Sequence, residues 1–128
     1  MKLVSMAVAA ACLAASTALA GPTALSGDEL RRMVAGRTVV LDTPVGGLPI
    51  VYRADGGLSG KLNVVAGGMM SGPREDRGRW WIAANELCQQ WTSWLEGRKH
   101  CYSMRLDGST VHWRRGDGRT GTARLLAH

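Results

Sequence analysis

The chain contains no phenylalanine; its aromatic residues are five tryptophans and two tyrosines. A core must therefore be assembled from indoles, phenols and aliphatic side chains, and a buried indole N–H or phenol needs a hydrogen-bond partner. Cysteine is scarce, at three residues, and so is histidine, also at three. No C-x-x-C or H-x-x-x-H spacing occurs, which removes the common zinc frameworks. Serines lack a G-x-S-x-G context. The glycines form neither a P-loop nor the strand-to-helix dinucleotide fingerprint. After residue 20 no apolar run approaches the roughly 20 residues of a membrane-spanning helix. The carboxylates, among them Asp42, Asp55, Glu86 and Asp107, are scattered and several sit in turn contexts, so none forms a general acid–base pair. These absences give catalysis, metal and cofactor no support.

The first twenty residues read as an export leader. Lys2 supplies a basic start, residues 3–15 are almost wholly apolar, and Ala18-Leu19-Ala20 forms an A-x-A cleavage site before Gly21. Ala9-Ala10-Ala11 is a poor lipobox for Cys12, so cleavage near Ala20 and a periplasmic or secreted chain are expected. The segment 21–128 then forms a single β-rich domain. It keeps Cys88 and Cys101, an even pair in an oxidising compartment. The charge is +6 over the whole chain, and the basic residues are mostly arginine. In an exported protein this favours phosphate- or carboxylate-bearing envelope partners over nucleic acid.

One helix is evident. Ser26 and Glu29 form an S-x-x-E capping box, Leu30, Met33 and Val34 make an apolar stripe, and Gly36 stops the helix. From there short strands alternate with glycine turns: 37–42, 48–53, 58–65 and 79–84, with a looser loop at 66–78. Bends at 93–98, Asp107-Gly108 and Gly116-Asp117-Gly118 follow. This spacing predicts a mainly β fold, a small antiparallel meander barrel or sandwich with one short N-terminal capping helix.

Facing Cys88 with Cys101 sets Leu87 opposite Tyr102 and Trp91 opposite Arg98. A turn centred on Asp107-Gly108 sets Tyr102 against Trp113, Met104 against Val111 and Arg105 against Thr110. Both registers put Leu87, Trp91, Tyr102, Met104, Leu106, Val111 and Trp113 on one face. Cys88, Cys101, Ser103, Arg105, Thr110, His112 and Arg114 fall on the other. A three-residue Gly116–Gly118 loop pairs Arg115 with Arg119 and brings Gly121 under Trp113. The cysteines thus read as a cross-strand disulfide on the face away from the aromatic core, not as a nucleophile with His100. His100 and His112 lie on opposite faces, which argues against a metal site. Met69-Met70 reads as a hydrophobic plug rather than a copper ligand pair.

Two candidate surfaces remain. Trp80, Trp81, Trp91, Tyr102 and Trp113 are candidates for lining a cavity that takes a small apolar or amphipathic ligand. Adjacent Trp80 and Trp81 cannot both point inward, and Trp94 at a hairpin tip is a candidate for exposure. Arg105, Arg114 and His112 form a candidate anion-binding row on the outer face, with Arg74, Arg77 and Arg79 placed in the loop.

The stretches "GRTVV", "YRADGG", "GRWW", "LCQQW", "CYSMRLDG" and "RRGDGRTGTARL" together resemble a family of short exported bacterial proteins of unknown function with an LC-x-x-W…CY element. The resemblance implies a small calycin-like or β-barrel-like domain with a paired cysteine bridge, and no activity. "GRWW" also looks like the G-x-W of lipocalins. There the motif opens the first strand, whereas here it falls mid-chain, and a shallower barrel or half-barrel is expected. The function expected from all of this is an exported non-enzymatic binding or interaction module. Its alternatives are a small-ligand carrier and an envelope inhibitor or stress protein acting through arginines.

Overall fold

Ser26 and Glu29 cap each other's backbone at the start of the folded chain. The Glu29 N–H donates to Ser26 Oγ at 3.2 Å, and the Ser26 N–H donates to the Glu29 carboxylate at 2.8 Å. The computed structural model describes residues 23–62 and 74–127; the expected leader and Met69-Met70 lie outside them. Helix α1 (Gly27–Val34) buries Leu30, Met33 and Val34 on one stripe. It gives way to the first strand at Gly36, whose φ of +76° is left-handed and free of strain in glycine.

Eight strands follow. They are β1 (Arg37–Thr43), β2 (Gly46–Tyr52), β3 (Gly57–Lys61), β4 (Glu75–Ala83), β5 (Glu86–Trp91), β6 (Lys99–Asp107), β7 (Thr110–Arg115) and β8 (Thr120–Leu125). Each pairs antiparallel with the next, and β8 returns to β1 through Val39–Leu125, Val40–Arg124 and Leu41–Ala123. The meander is therefore a closed barrel, neither a sandwich nor a half-barrel. Strands of five to nine residues suffice, because short turns join most of them. Strand β4 begins at Glu75, paired with Lys61, rather than at Arg79. Arg77 and Arg79 are consequently strand residues.

The disulfide hairpin has the expected register, with Cys88 opposite Cys101, Leu87 opposite Tyr102 and the two sulfurs bonded. Its ladder stops at Gln90–Lys99, so Trp91 does not pair with Arg98. The reason is a tight 3-10 turn (Trp94–Gly97) in which Leu95 and Glu96 are left-handed. At the β7–β8 loop the Arg115 N–H donates to the Arg119 carbonyl at 2.7 Å, and Gly121 stands opposite Trp113.

The β6–β7 register differs from expectation by two residues. Tyr102 pairs with Arg115, Met104 with Trp113, Leu106 with Val111 and Asp107 with Thr110. Gly108, at φ +63°, is the first central residue of the turn rather than the second. A two-residue slip preserves side-chain direction, so the assignment of faces stands. Where β6 runs past the start of β5, the Leu25 N–H donates to the Met104 carbonyl at 2.8 Å, which covers the freed backbone.

The inward row of each strand forms the core. On the outer face Cys88 sits between Trp81 and Cys101 in the pairing and is 1% exposed. Replacing both cysteines by serine should lower stability by about 3 kcal/mol through the lost loop constraint. In a thermal melt that is a fall of roughly 10–20 °C. An unchanged melting temperature would refute a stabilising role for the bridge.

Candidate functional site: the barrel lumen

Closure sets β1 and β2 across the lumen from β5 and β6. The alternation of β1 and β2 turns Val39, Leu41, Leu48 and Ile50 inward, an aliphatic wall. The facing wall carries Gln89, Trp91, Tyr102 and Met104, and Val111, Trp113 and Ala123 of β7 and β8 close the side. These walls enclose a cavity of about 590 Å³. That volume lies within the range of small-molecule sites.

The floor is a hydrogen bond. Tyr52 reaches from β2 across to β5, where its hydroxyl donates to Gln89 Oε1 at 3.0 Å. Gln89 is the one buried polar residue among those described, at 6% exposure. Beneath it the Tyr52 ring meets Trp80 edge-on, with ring centroids 5.9 Å apart. Trp80 donates its indole N–H to the Arg53 carbonyl at 2.9 Å and lies under the Arg31 guanidinium at 5.6 Å. The stripe of α1 completes this closed end. Burial pushes the Tyr52 phenol above its ordinary pKa, with a smaller contribution from Tyr102. Burial also raises Tyr102, although hydrogen bonding to Arg115 and Gln89 works in the opposite direction.

The mouth lies at the opposite end and is rimmed by Ser93, Trp94, Leu95, Glu96, Arg115 and Arg119. Asp76 pins one side, its Oδ2 accepting from the N–H groups of Ser93 and Trp94, each at 2.7 Å. Burial disfavours the Asp76 carboxylate, but the N–H groups of Trp94, Ser93 and Arg77 outweigh it and lower the pKa. The Trp94 ring packs on Trp91, with centroids 4.7 Å apart, and occupies the space left by Gly60, where a Cβ would lie 2.7 Å from the ring.

On the other side Arg115 forks onto Asp117, Nε to Oδ1 at 3.0 Å and Nη2 to Oδ2 at 2.7 Å, with its side chain only 11% exposed. The Arg115 fork, aided by the Arg119 N–H, holds the Asp117 carboxyl well below the usual range. His100 turns toward the same end, and burial, then Arg115, lowers its pKa.

Of the residues singled out from sequence, Trp91, Tyr102 and Trp113 line the lumen. Trp80 points inward but lies below the floor. Trp81 points outward, with the Arg79 guanidinium 5.5 Å from its ring. Neither borders the cavity, because the Tyr52–Gln89 bond separates Trp80 from it and the pleat turns Trp81 away. Trp94, expected at an exposed tip, is half-buried at the mouth. Arg105, His112 and Arg114 share the outer face, where Arg105 pairs with His112 and Arg114 with Ser103.

Gln89, Arg115 and Arg119 were not singled out, nor was the aliphatic wall. A signal existed for each polar residue. Gln89 falls two residues from both Leu87 and Trp91, Arg115 falls two from Trp113, and Arg119 pairs with Arg115. The wall needed the closure of β1 on β8, which has no local signature.

The arrangement can hold a guest with an apolar body and a polar group. Among the described residues no three His, Cys, Asp or Glu side chains gather to hold a metal ion, and no helix is long and apolar enough to cross a membrane. Comparison with protein-family models, curated proteins and solved structures gave no match to this chain.

Tyr52→Phe leaves Gln89 Oε1 buried without its donor and should cost about 1–3 kcal/mol in denaturant unfolding. It should also flatten the alkaline limb of stability. Because the folded-state pKa of Tyr52 is raised, its contribution is complete below the ordinary tyrosine value near 10 and is lost as pH rises above it. Tyr102 acts in the same direction. A variant whose alkaline limb matches the wild type would contradict the buried floor.

Proposed function

We propose that the protein is an exported, non-enzymatic binding module that carries a small apolar or amphipathic molecule in the barrel lumen. The observation carrying this reading is a cavity of about 590 Å³, closed below by the Tyr52–Gln89 bond and, among the described residues, open at the rim of Trp94, Arg115 and Arg119. A core filled only for stability packs to crystal-like density, without a void of this size. Apolar walls with a few convergent polar groups are the composition of a ligand site. Export fits the leader and the disulfide, which persists where the surroundings are oxidising.

A second reading uses the outer face. Arg105, His112 and Arg114 occupy neighbouring positions on β6 and β7, and none forms an ion pair with another described residue. The guanidinium forks of Arg105 and Arg114 suit an anionic envelope component, with salt-sensitive retention on anionic lipid as the check.

The neutral dye Nile red tests the lumen. Titration should raise dye fluorescence, quench tryptophan emission and saturate at one dye per chain. Ala123→Leu, which adds volume to the cavity wall, should weaken this binding by about tenfold or more with little change in melting temperature. Absence of binding to the wild type, or unaltered binding to Ala123→Leu, would contradict a luminal site.

A further inference from the structure

We propose that the luminal guest carries an oxyanion head, a carboxylate or a phosphate ester, held at the mouth by Arg119 beside Arg115; the proposal rests on the carrier reading. The two arginines face each other across the first pair of the β7–β8 hairpin, joined by the 2.7 Å backbone bond from the Arg115 N–H to the Arg119 carbonyl. Both line the cavity. They are not equivalent. Arg115 is largely buried and spends its Nε and one Nη on Asp117, with Tyr102 beside it. The Arg119 guanidinium makes no hydrogen bond or ion pair with another described residue, while its backbone N–H is anchored on Asp117 Oδ1 at 3.1 Å. A fixed backbone thus presents, on the rim of an apolar cavity, a guanidinium that no other described residue engages.

The other charges at this end do not fill that role. Glu96, the acid in the lining, is directed to Arg98 at 3.3 Å. Asp76 is engaged by the backbone of Ser93 and Trp94, and Asp117 by Arg115. Lys99 lies exposed next to His100, whose lowered pKa disfavours a charge there. At the floor the Tyr52 hydroxyl donates to Gln89 Oε1, so that pair is engaged with itself. Physical chemistry also places the head at the mouth. An ionised group deep in an apolar lumen loses its hydration, whereas at a half-open rim a guanidinium pairs with it while water still reaches it.

Three single-chain amphiphiles of equal length test this: dodecanoate, dodecyl phosphate and the neutral dodecanol, each displacing Nile red from the full mature chain above neutral pH. The anionic compounds should displace the dye at concentrations about tenfold below dodecanol, the difference made by one charge-assisted contact. Arg119→Gln should abolish that advantage, so that all three compounds displace the dye from the variant at similar concentrations; its exposed position keeps the fold intact. The stronger of the two anions identifies the head. Equal displacement by all three, or an advantage that survives in Arg119→Gln, overturns the proposal and leaves the carrier reading standing. Failure of Nile red and all three amphiphiles to bind overturns the carrier reading itself.

Discussion

The hydrogen bond from the Tyr52 hydroxyl to the Gln89 amide divides the barrel interior in two. It spans the lumen from β2 to β5, with Trp80 and the stripe of α1 packed on one side and the cavity on the other. An amide and a phenol buried at this depth are tolerable only as partners, since either one alone would carry the full cost of desolvation. The lack of phenylalanine has its counterpart here. The ring at the centre of the barrel bears a hydroxyl, and that hydroxyl requires the one buried amide to stand opposite it.

The rest of the molecule holds this arrangement in place. The stripe of α1 and the Trp80 indole seal the lower end. The Cys88–Cys101 bond ties β5 to β6 directly beside Gln89, and so fixes the strand that supplies the acceptor. At the upper end three devices keep the rim ordered without filling it. Asp76 caps the 3-10 turn, Gly60 makes room for Trp94, and Asp117 organises the loop between Arg115 and Arg119. Each uses a hydrogen bond or the absence of a side chain, and among the described residues the aliphatic wall of β1 and β2 still borders the cavity.

Much of the fold was legible in the sequence because it depends on parity. Side-chain direction along a strand survives a two-residue slip, so the pattern puts Trp91, Tyr102 and Trp113 on the inner face even though the turn expected at Asp107-Gly108 is centred one position later. The capping box at Ser26 and the three-residue loop at Gly116–Gly118 were legible for a similar reason, since their signals are local. What depends on chain closure was not. Nothing near Val39 or Leu125 announces that β1 pairs with β8, and without that pairing the aliphatic wall has no partner across a lumen. Trp80 shows the complementary error. Alternation says that one of Trp80 and Trp81 points inward, but which one, and its depth relative to the floor, follow only from the pairing of β4 and from Tyr52, far away in sequence.

The central claim is that an open lumen lies above the Tyr52–Gln89 bond, ready to accept an apolar body. A crystal structure of the protein under xenon pressure tests it most directly, because xenon settles in apolar voids without making specific contacts. The account predicts xenon density between Ile50, Val111 and Ala123, above an intact Tyr52–Gln89 hydrogen bond. A lumen closed by Trp91 and Trp113, with no xenon and no Tyr52–Gln89 contact, would contradict it.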